Sequence, residues 1–336
     1  MSATIKQVAK QAGVSIATVS YVLNGTGTVT EATRQRVLAV VSDLGYQPSH
    51  AARSLRGRSY TLGLALPAQP GRLADPTLAE MLASLSDTAA ACDYSLLLAT
   101  ARADKSASEM CLSLARTGQV DGLVLLDMQT DDERAQALCE AGIPHVCAGP
   151  PARCNSPFVT ADGYSAAILA VRHLLQLGHR RIGLIQLPSE LAESEPRYLG
   201  YSTALAEAGV EADPQLVVEA GRGEQDGFQT MQELLSLPEP PTAVLACSDE
   251  LAFGAMHALY DAGRTVGQDI SLIGFDDVPL AAHMHPPLTT LRQPRRRMGE
   301  QLATLLIDII EKRQPKTNHV TLPMRLMVRK TTARVQ

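Results

Sequence analysis

Residues 14–25 read VSIATVSYVLNG, and their spacing puts two kinds of chemistry on one helix. At about 100° per residue, Val19 and Val22 point one way, with Leu23 and Thr18 at the edges. Ile16, Ala17, Ser20 and Tyr21 share the opposite arc. A face of methyls and hydroxyls, on a helix whose valines already serve a small core, is offered to a partner. The plainer alternative is that Ile16 and Tyr21 cover a neighbouring element. Charge favours the partner. The first 60 residues hold Lys6, Lys10, Arg34, Arg36, Arg53, Arg56 and Arg58 against only Glu31 and Asp43, whereas the whole chain of 336 residues has a net charge of −5. A basic head on an acidic body is the split expected where one end meets phosphate.

The elements around this helix fit that use. Thr4 and Gln7 have the spacing of a capping box. Ile5, Val8, Ala9 and Ala12 follow as an apolar stripe, and Gly13 ends the helix. Ser15 is placed to cap the second helix, which runs to about Leu23. A third, from about Glu31, offers Val37, Val40, Val41 and Leu44 to the core before Gly45. Two helices joined by a short Gly-containing turn describe a helix-turn-helix. Residues 46–59, YQPSHAARSLRGRS, allow a further helix of about two turns between Ser49 and Gly57. It is too short to be stable alone, so it reads as a segment that folds on a partner or as a flexible basic linker.

From Tyr60 the pattern changes. The apolar runs LGLALP (62–67), YSLLLAT (94–100), DGLVLLD (121–127) and IPHVCAG (143–149) alternate with helical stretches through 76–91, 104–117 and 131–141. After Asp162 the alternation recurs, with strands at 181–187, 216–220, 242–248 and 270–276 and helices between them. Near-continuous apolar strands separated by amphipathic helices predict parallel sheets covered on both faces, and two such series predict two doubly wound α/β subdomains. Ligands of such folds sit at the carboxyl ends of the strands.

Several chemistries find no support. The six cysteines are scattered without a C-x-x-C pair, and the eight histidines are not spaced as metal ligands, so no metal site and no cofactor are expected. His283 and His285 flank Met284 near Pro286, which reads most simply as a loop. No G-x-G-x-x-G follows the first core strand, and neither a P-loop nor a G-x-S-x-G elbow is present. An enzyme is therefore not expected. A solute-binding protein for transport would suit the core, but not the basic head or a start, MSATIKQVAK, that lacks a secretory apolar segment. No apolar run of about 18 residues suggests a membrane span. The expected setting is the cytoplasm.

Taken in order, IKQVAKQAGVSIATVSYVLNG, TRQRVLAVVSDLGYQPSHAARSLR, LGHRRIGLI (177–185), RYLGYSTAL (197–205), SDELAFGAMHAL (248–259), ISLIGFDD (270–277) and PPLTTLRQP (286–294) resemble the lac repressor and purine repressor family of bacterial transcription regulators across essentially the whole chain. The resemblance implies a DNA-binding domain over 1–47, a hinge helix or linker over 48–59 and an effector-binding core over 60–336. In that core the first subdomain would be about 61–160 plus 292–321, and the second about 161–291 plus 322–336. It implies a homodimer on a pseudo-palindromic operator of double-stranded DNA, with the second helix in the major groove. Ile16, Ala17 and Tyr21 match base-reading positions. Some members have a polar pair at 16 and 17, so a contact rich in thymine methyls and poor in guanine is expected here. Thr4, Ser15, Thr18, Ser20 and Asn24 suit phosphate or the turn. Leu55 matches the leucine that wedges into the minor groove, with Arg53 and Arg56 beside it. RLMVRKTTARVQ carries no leucine heptad, so a dimer rather than a tetramer is expected.

In the core, Asp162, Arg197, Asp249 and Asp276 match polar positions that hold effectors in the family. A carboxylate accepts hydroxyl hydrogen bonds and Arg offers a planar donor fork; the generic alternative for each is a cap or an ion pair at a strand end. The chain also departs from the pattern. Thr77 and Leu78 stand where many members have paired phenylalanines, Asp162-Gly163 replaces Asp-Asn, and Ser248-Asp249 replaces Asn-Asp. With no Trp and four Phe, an aromatic wall for ring stacking is thin. A sugar or polyol is slightly preferred as effector, with one of Glu190, Glu193 or Glu195 as a possible contact. A regulator without effector response is the alternative.

Overall fold

The computed structural model describes residues 3–24, 27–45, 58–66, 76–100, 106–151, 154–315 and 317–335, without the side chains of residues 24, 76 and 77. The chain forms two compact units, Met1–Tyr60 and Thr61–Gln336. The expected 49–57 helix, with Arg53, Leu55 and Arg56, lies outside the described residues.

In the first unit, α1 (Ile5–Ala12) starts at the expected capping box. The Gln7 amide donates to Thr4 Oγ1, and Gln7 Oε1 accepts from the Thr4 amide at 2.7 Å. Gly13 ends it at φ +65°, a conformation that costs glycine little. Helix α2 (Ile16–Asn24) and α3 (Glu31–Asp43) complete a three-helix cluster. Val8, Ala12, Val19, Val22 and Val37 are buried at its centre, with Val40, Val41 and Leu44 packed around them. Burying such side chains contributes roughly 1.5–3 kcal/mol each, which is how so small a unit holds three short helices.

The second unit contains two six-stranded sheets. The first has the order β11-β5-β4-β3-β1-β2 and the second β12-β10-β9-β8-β6-β7. The strands are β1 (Thr61–Leu66), β2 (Ser95–Thr100), β3 (Gly122–Leu125), β4 (His145–Cys147) and β5 (Phe158–Ala161). The second series is β6 (Ile182–Gln186), β7 (Val217–Glu219), β8 (Ala243–Ala246), β9 (Ser271–Asp276) and β10 (Thr289–Arg292), followed by β11 (His319–Leu322) and β12 (Arg325–Met327). All pairings are parallel except β10 with β12. β1, β3 and β8 are buried along their whole length, as their unbroken apolar runs require.

The helices are α4 (Pro76–Ala91), α5 (Ala107–Arg116), α6 (Glu133–Glu140), α7 (Gly163–Gln176), α8 (Ser194–Glu207), α9 (Glu224–Ser236), α10 (Asp249–Asp261) and α11 (Arg295–Ile310). Some helix pairs meet at glycines with no room for a side chain. A Cβ on Gly254 of α10 would lie 1.8 Å from the Glu224 carbonyl of α9, and one on Gly299 of α11 would lie 2.1 Å from Ser84 Oγ of α4. Because α11 packs on α4, the chain passes between the sheets three times: after β5, after β10, and between β11 and β12.

Four short strands, β5, β10, β11 and β12, were not among the sequence-derived strands. The strand expected over 143–149 is confined to His145–Cys147.

Candidate functional site

The head presents its two faces as the helix wheel requires. Val19 and Val22 are buried, while Ile16 and Tyr21 are 45% and 49% exposed, with Ala17 exposed beside them. Ser15 caps α2, accepting from the Thr18 amide at 3.0 Å, and the two hydroxyls share a further hydrogen bond of 2.9 Å. Ser20 is half-buried. The Tyr21 ring lies over Gly27, where a Cβ would sit only 3.1 Å from it.

In the core, the carboxyl ends of the strands surround a cavity of about 660 Å³. It is built from both series of strands. Leu126, Asp127 and Met128 follow β3, and Thr160 and Ala161 end β5. Ser248 follows β8, Phe275 and Asp276 end β9, Gln293 precedes α11 and Arg295 opens it. A loop at 188–193 reaches from β6 to the segment after β3. Thr130 donates to the Glu190 carbonyl at 2.9 Å and Ala192 to the Met128 carbonyl at 3.0 Å, around a bridge between Gln129 and Leu191.

Arg197, on the first turns of α8, is buried in this cavity wall. Its guanidinium donates to the Cys247 carbonyl and to Glu193 Oε2 at 2.6 Å, and lies over the Phe275 ring. Among the described residues, its buried Nε has no hydrogen-bond partner. Asp276 accepts from Gln293 Nε2 at 2.5 Å and pairs with Arg295 at 2.9 Å. Its backbone is held at φ +123° and that of Asp277 at +56°, left-handed conformations that cost of order 1–3 kcal/mol each outside glycine. Ion pairs of Asp277 with Arg292 and Arg329 hold the turn. Asp162 lines the cavity and also caps α7, accepting from the Ser165 amide at 2.9 Å.

Two expected contacts are corrected. Asp249 is fully buried behind the wall rather than in the cavity. Its carboxylate accepts from the Val278 amide at 2.8 Å and the Thr290 hydroxyl at 2.5 Å, tying the start of α10 to β10 and the turn after β9. Burial, reinforced by the charge of Asp276, pushes its carboxyl well above the usual range. Ser248, one residue earlier, takes the cavity position while capping α10. Leu78 is buried and not part of the lining, whereas Met81 one turn later is; the Thr77 side chain lies outside the described residues. Of the acidic loop, Glu193 lines the cavity, and Glu190 and Glu195 do not. Asp127, Arg222, Gln293 and Arg295 also line it without having been singled out from the sequence.

A three-helix head with a helix-turn-helix, followed by two interlinked parallel α/β layers around a cavity that carries Arg197, Asp162 and Asp276, defines a DNA-binding regulator with a ligand-binding core. The chain belongs to the lacI family of bacterial regulatory proteins, whose model matches residues 4–49, while a periplasmic binding protein-like domain matches residues 171–332. It is 39% identical to the HTH-type transcriptional regulator AglR of Rhizobium meliloti (strain 1021), over 91% of this chain and 88% of that one. It is 35% identical to the HTH-type transcriptional regulator CelR of Thermobifida fusca, over 98% of both. The solved CelR–cellobiose complex is similar at a TM-score of 0.77, with 33% identity over 98% of this chain and 99% of that one. The lac repressor dimer bound to operator and the anti-inducer ONPF is similar at 0.84, with 28% identity over 99% of this chain and 100% of that one. The chain is thus a transcriptional regulator, not an enzyme. Among the described residues, no helix is long and apolar enough to cross a membrane and no group of three or more metal-ligating side chains occurs.

Proposed function

We propose that this protein represses transcription in the cytoplasm, associated with the nucleoid when bound, as a homodimer on a pseudo-palindromic operator. A sugar or polyol in the core cavity sets its operator affinity. The observation that carries the effector reading is the cavity itself: Arg197, Asp162 and Asp276 converge there, and two of them sit in a wall held by ion pairs. A relative solved with cellobiose supports the ligand class. The regions about 61–160 plus 292–321 and about 161–291 plus 322–336 then act as the two subdomains. An effector acts by its differential affinity for their two relative positions, and DNA must alter effector affinity in return.

On the operator, Ile16, Ala17 and Tyr21 read base edges, and Thr4, Ser15, Thr18, Ser20 and Asn24 serve phosphate contacts and register. Leu55 enters the minor groove with Arg53 and Arg56 beside it. Selection of bound sequences from a random pool tests the DNA half of the reading: a two-fold symmetric site, with thymine favoured opposite Ile16 and Ala17, is expected. Thermal-shift screening against sugars, polyols, nucleosides and amino compounds tests the rest. Protection by purines alone would replace the sugar reading.

A further inference from the structure

Among the described residues, three arginines line the cavity, and each faces a carboxylate. Arg197 meets Glu193 at 2.6 Å and Arg295 meets Asp276 at 2.9 Å, both within hydrogen-bond range. Arg222 is different. Its Nη1 lies 3.9 Å from Asp127 Oδ1 and its Nη2 lies 3.9 Å from Glu193 Oε1. It makes no hydrogen bond among the described residues, and a third of its side chain is open to the cavity.

A gap of 3.9 Å is too long for a hydrogen bond and too short for two side chains that ignore each other. It matches two hydrogen bonds of roughly 2.8 Å meeting at about a right angle on one hydroxyl oxygen. Such a hydroxyl accepts from the guanidinium and donates to the carboxylate. The arrangement occurs twice, once at each terminal nitrogen of one planar fork, so it fits two hydroxyls on neighbouring carbons.

The backbone that carries the fork and its carboxylates is held by hydrogen bonds. Arg222 sits between two glycines that Asp226 holds. The Gly223 amide donates to Asp226 Oδ2 at 2.9 Å, and a Cβ on Gly221 would lie 2.3 Å from that same oxygen. Asp127 and Glu193 are the residues next to Met128 and Ala192, whose backbone hydrogen bond closes the loop over the cavity. Glu193 uses its other oxygen for Arg197, so Oε1 stays directed at Arg222.

We propose that Arg222, Asp127 and Glu193 form a clamp for a vicinal diol of an uncharged sugar or polyol. This rests on the effector reading above and names the chemistry that one part of the cavity takes. Charge points the same way. Among the described residues, every cavity arginine already faces a carboxylate, so a phosphate or carboxylate on the effector would stand beside Asp127 and Glu193 without an unmatched arginine there.

The test uses the full-length dimer and calorimetric titration with cellobiose, maltose, sucrose, mannitol, glucose 6-phosphate, glucuronic acid and glucosamine. An uncharged member is expected to bind tightest. With that member, Arg222→Ala is expected to raise Kd roughly 10- to 100-fold, the loss of about two hydrogen bonds, while the ligand-free unfolding temperature stays near wild type. Its analogue lacking one hydroxyl of the diol should bind more weakly to wild type but no more weakly to Arg222→Ala. A variant within twofold of wild type, or tighter binding of a phosphorylated, acidic or amino sugar, overturns the clamp and leaves a sugar effector standing. If none of the seven binds, the sugar reading falls and the clamp with it.

Discussion

The guanidinium of Arg197 lies 4.0 Å above the centre of the Phe275 ring. One of the few aromatic rings at the cavity is thus already covered by a cation of the protein itself, an attraction of about 0.5–2 kcal/mol. On that face an effector meets N–H donors instead of a stacking surface, so recognition here rests on hydrogen bonds more than on ring stacking.

Replacing Arg197 by Ala should abolish the effector response. It also leaves the buried Cys247 carbonyl without its donor and releases Glu193, so stability should fall by about 1–3 kcal/mol. Arg197→Lys keeps the charge but not the fork and should retain stability better than response. Denaturant unfolding beside operator release on titrating effector separates the two. An unchanged response in the Ala variant would remove Arg197 from the site.

Asp249 gives a pH signature. Its folded carboxyl titrates above the ordinary value, so between the two values the native state holds a proton that the unfolded chain has released. Stability from this group therefore falls as pH rises through that window. Asp249→Asn keeps an oxygen for the Val278 amide and an N–H₂ for Thr290, and should remove that decline, leaving the protein at least as stable as wild type at neutral pH. Asp249→Ala strands both partners and should cost about 1–3 kcal/mol. Unfolding temperatures between pH 5 and 8 check both.

His179 has the opposite sign. It is buried among Thr242, Ser271 and the Ala333 carbonyl, and burial holds its pKa below the usual histidine value. The unfolded chain takes up the proton first as pH falls through about 6.5, so stability declines below that pH. His145 and His173, also lowered by burial, add to the slope. His179→Gln should flatten part of it, visible as a smaller loss of unfolding temperature between pH 7 and 5.

Gly254→Ala probes the contact between α9 and α10. The added methyl meets the Glu224 carbonyl and the Phe228 amide nitrogen, both backbone, so the helices must separate. A loss of about 1–3 kcal/mol or more is expected, read as a lower unfolding midpoint. Wild-type stability would mean that the helix pair relaxes without cost.

The head was legible because its signals are local. Thr4 with Gln7, Gly13, and the alternation of Val19 and Val22 with Ile16 and Tyr21 all act within one or two turns. The long apolar strands were legible for a similar reason. The strands FVTA, TTLR, HVTL and RLM were not: they are three or four residues long, and threonine, histidine or arginine breaks their apolar pattern. Each finds its place through partners far away in the chain, as when His319 pairs with Phe158. Within the site, Asp276 and Arg197 follow from motif position. Asp249 was misassigned because one step along the chain separates the cavity face, taken by Ser248, from the interior. The approach of Asp127 to Arg222 and Glu193 depends on a loop closing across some 60 residues, which no local pattern announces; the GRGEQD turn that aims Arg222 is visible only once its use is known.

The three passages of the chain between the sheets set what can be exchanged between relatives. The head ends at one junction near Tyr60, so a single splice there transfers a different operator preference onto this core. Neither half of the core is continuous in the gene. Moving one of them requires three matched junctions, near Asp162, Gln293 and Pro323, and a recombination event that hits only one leaves a sheet without its edge strands. New combinations of address and signal in proteins built this way arise most readily by swapping heads, whereas a new signal has to be reached by substitutions around the cavity.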